Sequence, residues 1–262
     1  MKYFIVDAFA EELFKGNQAG VCLLDEWLDV DIMQSIAFEN NLAETAFVVK
    51  RDNHYDLRWF TPEQEIDLCG HATLASAFIL FNHTDVVDEV VEFQTKSGKL
   101  AVRRLGDLYE LDFPARMPEK IEVTPQMSES VGIPVLEAHL SRDLLFVVEN
   151  EEQVKNLVPD YDIMKEFKNC LGIIVTAKGT SVDFVSRFFI PGTSIPEDPV
   201  TGSAHCSLIP FWSERLNKKK MVAKQLSKRG GTLYCEHCGD RVKIAGKAVL
   251  YLEGRLAESS II

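Results

Sequence analysis

Two stretches of this chain, 129 residues apart, spell nearly the same pattern. "RWFTPEQEI" (58 to 66) and "RFFIPGTSI" (187 to 195) share Arg58/Arg187, Phe60/Phe189, Pro62/Pro191 and Ile66/Ile195. After three inserted residues the match resumes, with Gly70 and Ala72 falling on Gly202 and Ala204. Four matches in nine positions carry little by themselves. Their weight comes from context, because each stretch follows a strand pattern and leads into an apolar helix pattern at the same place in its half. A chain built this way is constrained to two domains of one design, and "CGHATLASA" and "TGSAHCSLI" become equivalent strand-to-helix junctions.

The rest of the chain has the same grammar. "KYFIVDAF", "GVCLL", "AETAFVVK" and "YDLRWF" read as strands, and "DVDIMQSIAFENN" has helical spacing. "CGHATLASAFILF" is long and apolar enough for a buried helix, and "VVEFQT", "KLAVRRL" and "LYELDFP" follow as a meander divided by "KSG" and "GD" turns. "PARMPEKIEVTPQ", with three prolines, is read as a linker. In the second half "HLSRDLLFVVEN" is read as one strand, "DIMKEFKNC" as a helix, and "GIIVTAKG" and "SVDFVSRFF" as strands. The expected domains are 1–118 and 119–262, with a closing strand at 248–257 returning to the first. With 262 residues, 46% of them hydrophobic, the chain can bury a core in each.

Forty acidic against 28 basic side chains give a net charge of -12, which repels nucleic acid and anionic lipid, so a small molecule is the expected partner. The N-terminal stretch lacks a signal h-region, and no apolar run approaches a membrane span. The six cysteines, spread over more than two hundred residues, are read as reduced thiols and the compartment as the cytoplasm.

A helix that follows a glycine presents unpaired amides and a partial positive charge, an anion site without any basic side chain. Two such ends facing each other would clamp a carboxylate. Gly70 and Gly202 allow close approach of a ligand, and His71 and Ser203 project polar groups beside them. Each residue also has a plain structural explanation. The glycines suit a tight turn, His71 suits a capped surface position, Asp198 suits an Asp-Pro turn, and Glu44 suits a solvated strand start. Only a shared cleft would change that.

Two other features point elsewhere. "CEHC", Cys235 to Cys238, offers half of a zinc site, but structural zinc wants four ligands and "GTLYCEHCGDRVKIAG" reads as a hairpin. "RLNKKKMVAKQLSKRG" holds seven cations between Arg215 and Arg229, which suits an acidic partner or nucleic acid and equally a solvated helix face.

"VDAF" with "F-K-G-N", then "AETAFV", "FTPEQEIDLCGHATLASA" and "EDPVTGSAH", in this order and spacing, resemble the phenazine-biosynthesis-like isomerases, the PhzF-like proteins. The resemblance covers essentially the whole chain. It implies an α+β fold of the diaminopimelate epimerase type, two pseudo-repeated domains each wrapping a curved, mostly antiparallel sheet round a central helix, with the active site in the cleft between them. It implies Glu44 as the catalytic acid/base, with His71 and Asp198 catalytic and Gly70, Gly202, Ser203 and Asn17 binding a small carboxylate substrate. It further implies a homodimer and no metal or organic cofactor. Racemase relatives use two cysteines, one at each junction. Here Cys69 has Thr201 as its counterpart, and Cys206 lies about one helical turn further on, so two-thiol racemisation is not expected and a one-cysteine epimerase using Cys69 is the alternative. A small-molecule, nucleic-acid or acidic-partner binding protein is the non-enzyme alternative. Gln18 and Gly20 depart from the family's usual Pro and Ala.

Overall fold

The computed structural model describes residues 1–257, which form an α+β protein rich in strands and divided into two compact units. The first unit takes Met1–Asp112 and the chain from Ala245 onward; the second is Phe113–Ile244.

In the first unit β1 (Lys2–Ala8), β2 (Asn17–Leu24), α1 (Val30–Asn40), β3 (Glu44–Lys50), β4 (Tyr55–Phe60), β5 (Glu65–Ile66), α2 (Gly70–His83), β6 (Val90–Thr95), β7 (Gly98–Leu105) and β8 (Leu108–Pro114) follow one another. β1 is antiparallel to β2, β2 runs parallel to β3 with Ala19 opposite Glu44, and β3 to β4 and β6 through β8 are antiparallel. α2 carries no polar face. Ten of its fourteen residues are buried, so it can only be stable as a central helix, and it packs against β1, β2, β3 and β7. Its few polar side chains bond back to the helix: Thr73 Oγ1 donates to the Cys69 carbonyl (2.5 Å) and Ser76 Oγ to that of Ala72 (2.7 Å).

The second unit holds β9 (Glu119–Ile121), α3 (Pro125–Val131), β10 (Glu137–Leu140), β11 (Leu144–Val147), α4 (Glu151–Asn156), α5 (Tyr161–Met164), β12 (Ile173–Lys178), β13 (Phe184–Phe189), β14 (Glu197–Asp198), α6 (Gly202–Leu216), β15 (Lys220–Gln225), β16 (Gly231–Cys238) and β17 (Arg241–Gly246). β18 (Ala248–Arg255) lies in the first unit, antiparallel to β1 from Lys2–Arg255 to Ala8–Ala248. Strand by strand the two units match: β11 is parallel to β12 as β2 is to β3, and β12 to β13 is antiparallel as β3 to β4. α6 corresponds to α2 and is buried through Ser213.

Four local expectations are corrected. "HLSRDLLFVVEN" is a hairpin, because the polar Ser141-Arg142-Asp143 turns the chain between β10 and β11. The helix in "DIMKEFKNC" is one turn, Tyr161–Met164, started by the Asp160 carboxylate accepting from the Asp162 and Ile163 amides; α4, capped by Asn150, was not anticipated. The proline-rich stretch contains β9, paired with β10, and the start of α3. The basic run leaves α6 at Leu216 and continues as β15, not as a helix face. There Met221, Ala223 and Gln225 are buried while Lys220 and Lys224 are exposed, the period of two that its lysines disguise. No helix among the described residues is long and apolar enough to cross a membrane.

Candidate active site

The first motif builds a loop. Gly16 has φ +65°, and a Cβ there would lie 2.1 Å from the Ala8 carbonyl oxygen, so only glycine closes this turn. Buried Asp7 accepts from the Phe14 amide (2.9 Å) and braces the same loop, which delivers Asn17 to the start of β2. Gly20 has no room for a side chain either: a Cβ there would lie 2.7 Å from the Tyr3 hydroxyl and 3.0 Å from Thr45 Oγ1.

The parallel register of β2 and β3 places Glu44 at the same end of the sheet as Asn17, and Cys69 and His71 join them from the N-terminus of α2. His71 is the hub. Its Nε2 stands 2.9 Å from Glu44 Oε2, its Nδ1 stands 3.2 Å from Asn17 Nδ2, and the Cys69 sulfur lies 3.5 Å from Nδ1. His71 is 5% exposed. Glu44 Oε2 is buried and makes no hydrogen bond of good alignment, so the oxygen retains capacity to take a proton.

Burial works to lower the pKa of His71, but the Cys69 sulfur and the Glu44 carboxylate outweigh it, and the pKa stands well above the ordinary value. Burial, reinforced by Glu44, pushes the Cys69 thiol up to about 11. The Asn17 amide can turn its oxygen or its NH2 towards Nδ1 as the charge state of the imidazole requires. Glu44, Cys69 and His71 offer donor atoms within 4.8 Å of one another, a set that could ligate a metal ion once the thiol and imidazole had lost their protons.

No side chain caps α2, which leaves first-turn amides beside His71 with their partial positive charge. In the second unit α6 likewise has no side-chain cap. Its junction is braced by a residue that no motif marks: fully buried Gln225 accepts from the Thr201 amide (2.9 Å) and donates to the Asp198 carbonyl (2.7 Å), while Thr201 Oγ1 donates to Asp198 Oδ2. Gly202 and Ser203 open α6 as the repeat expects, and Cys206, one turn on, is 5% exposed with its thiol pushed up to about 11 by burial. Cys235 is buried, Cys238 exposed, and His237 between them bonds Ser213 Oγ (3.0 Å) and the Gly239 carbonyl (2.9 Å), which leaves its imidazole nothing for a metal. In the basic run Lys218 pairs with Asp183 (2.7 Å) and Arg215 with Glu137.

Compared with known proteins, the chain matches the family described as phenazine biosynthesis-like protein over residues 6–254. A Pseudomonas aeruginosa protein named as an uncharacterized isomerase is 50% identical over 253 residues, 97% of each chain. The crystal structure of a PhzF-family protein from Enterococcus faecalis has 53% identity and a TM-score of 0.95 over 97% of each chain. A probable proline racemase from Agrobacterium radiobacter superposes with a TM-score of 0.66 at 9% identity, covering 98% of this chain and 92% of its own, a likeness of fold alone.

Proposed function

This chain belongs to the phenazine biosynthesis-like protein family and is an isomerase, and on that premise we propose that it moves a proton between two carbons of a small, carboxylate-bearing, cyclic amino-acid-like metabolite, with Glu44 as its single acid/base. The observation that carries this reading is Glu44 Oε2, a buried carboxylate oxygen with no well-aligned hydrogen bond, held 2.9 Å from His71.

Glu44 as carboxylate takes a proton from one carbon, and the C–H electron pair passes into the adjoining π system. The acid so formed, whose proton exchanges with solvent, then protonates a second carbon, and the double bond shifts with no net gain or loss of atoms. His71 faces the Glu44 carboxylate, and the free amides of α2 stabilise negative charge as it develops on substrate. No cofactor has a part in this scheme. Asp198 keeps the catalytic part that the family resemblance implies, and Gly202 and Ser203 are assigned to substrate binding, with Ser203→Ala expected to raise KM more than it lowers kcat. Assembly as a homodimer, expected by family analogy, is checked by light scattering.

The test is deuterium incorporation in heavy water, followed by NMR over a panel of cyclic and dihydroaromatic amino acids. Glu44→Gln is expected to abolish exchange, while Cys69→Ser keeps it within about tenfold. Exchange that survives Glu44→Gln and disappears in Cys69→Ser would instead establish a one-cysteine epimerase, which the protonated Cys69 thiol disfavours.

A further inference from the structure

The first unit contains a cavity of about 570 Å³ that the Glu44 reaction does not use, and every residue lining it belongs to that unit. Small-molecule sites occupy roughly 300–1,000 Å³. Register fixes its place. Side chains alternate along a strand, so Glu44, Ala46, Val48 and Lys50 share one face of β3. α2 meets both ends of that face, with His71 beside Glu44 and Leu80 in the cavity with Val48 and Lys50. Glu44 to Lys50 spans about 20 Å of strand. The cavity therefore stands at the C-terminal end of α2, and the proton chemistry at its N-terminal end.

A row of residues across four strands forms one wall. Arg255 of β18 lies opposite Lys2 of β1, Lys2 opposite Leu23 of β2, and Leu23 opposite Val48 of β3; one pleat further on, Lys50 lies opposite Tyr55 of β4. Val48 and Leu80 are each 2% exposed, so the bottom of the cavity is apolar. Lys2, Lys50 and Arg255 are exposed and have no ion-pair partner among the described residues.

The C-terminal end of a helix attracts cations, but it presents only about half an elementary charge. Three unpaired cations exceed that. Their aliphatic stems can lie along apolar surface while the charged heads stay outermost, which sets positive charge above an apolar bed. Asp25 and Glu26 after β2 and Asp85 after α2 also line the cavity and are exposed. These acids offset the cations and oppose a polyanion, which favours a ligand with a single negative charge.

We propose that this cavity binds a small amphipathic monocarboxylate, its aliphatic body on Leu23, Val48 and Leu80 and its carboxylate among Lys2, Lys50 and Arg255. The site goes beyond the isomerase reaction and shares no residue with it. An inorganic anion would gain nothing from the apolar bed, and an apolar amine would meet three like charges.

Calorimetric titration with octanoate tests it, against acetate and octylamine. Wild type is expected to bind octanoate saturably and at least about tenfold more tightly than either counterpart. Combining Lys2→Glu with Lys50→Glu changes only exposed side chains, so the variant is expected to fold, and to weaken octanoate binding at least about tenfold. In methyl NMR of wild type, octanoate is expected to shift the resonances of Leu23, Val48 and Leu80. Glu44→Gln keeps octanoate binding while losing exchange, so failure of this site and failure of the Glu44 reaction are read separately. The proposal is overturned by an absence of saturable octanoate binding, by acetate or octylamine binding as tightly, or by an affinity that survives the double variant. Loss of binding in Glu44→Gln would also overturn it, because the ligand would then sit at the other end of α2.

Discussion

His71 shows how one side chain acquires a function that no single residue announces. An isolated imidazole titrates near 6.5; here the Cys69 sulfur and the Glu44 carboxylate at 2.9 Å raise the pKa against the effect of burial. A raised folded pKa means that the folded state binds the proton more tightly than the unfolded chain. The His71–Glu44 pair therefore contributes its stability in full below the unfolded value, and that contribution is lost as pH rises through the folded one. Thermal melts of wild type and His71→Gln are expected to differ most at acidic pH and to converge on the alkaline side; a gap constant with pH would show His71 to be neutral. The same comparison at Glu44→Gln should weaken the pH dependence, since the carboxylate is one of its two causes.

Among elements, the clearest sign of repetition lies in an ion pair. Arg58 forks onto Glu65 at 2.7 and 2.8 Å across β4 and β5, and Arg187 forks onto Glu197 at 2.6 and 2.9 Å across β13 and β14. Each fork pins the short strand that precedes a junction helix. Arg58 holds the Glu65 carboxyl at a pKa of about 2, helped by Lys96 and opposed by burial, so this stability is present above the ordinary carboxylate range and lost as pH falls towards 2. Arg187 is more deeply buried and also donates to the Leu157 carbonyl (2.9 Å). Arg187→Ala is expected to cost about 3–5 kcal/mol, the penalty for orphaning a buried charge, and Arg58→Ala about 1.5–3 kcal/mol. Chemical denaturation measures both, and equal costs would show that burial is not the deciding factor. The two arginines were visible as a match in the sequence; their acids were not, because the inserted residues shift Glu197 out of the constant offset.

For the whole chain, each unit rests on a core of its own. In the first, Phe47 and Phe60 meet edge-on at 5.4 Å among Met33, Ile36 and Val49; in the second, Phe146, Val175, Val185 and Phe189 pack with Met127 and Met164. The late strand β18 is nevertheless part of the first unit, paired with β1 along its length. Ending the chain at Lys247 exposes the edge of β1 and is expected to make the first unit sensitive to limited proteolysis, while the second keeps its protection. Equal protection of both units in that truncation would mean that β18 adds nothing to the stability of β1.

What the sequence determined by itself is whatever depends on short-range pattern. The apolar runs in β1, β3 and β4, the largely buried α2 and α6, the glycine of the Gly16 turn and the repeated junction each follow from a few neighbouring residues with one stable arrangement. The family motifs named Glu44, His71 and Asn17 individually, though nothing in their spacing says that His71 stands between the other two. Tertiary structure decided that contact, because it depends on the parallel register of β2 and β3 and on where α2 begins. It also decided the part of Gln225, which comes from burial and from its bonds to Thr201 and Asp198. Those partners are distant in the chain, so no local pattern marks it. Burial and charge contact arise only once the chain is folded, and at these positions they turn ordinary polar residues into parts of a site.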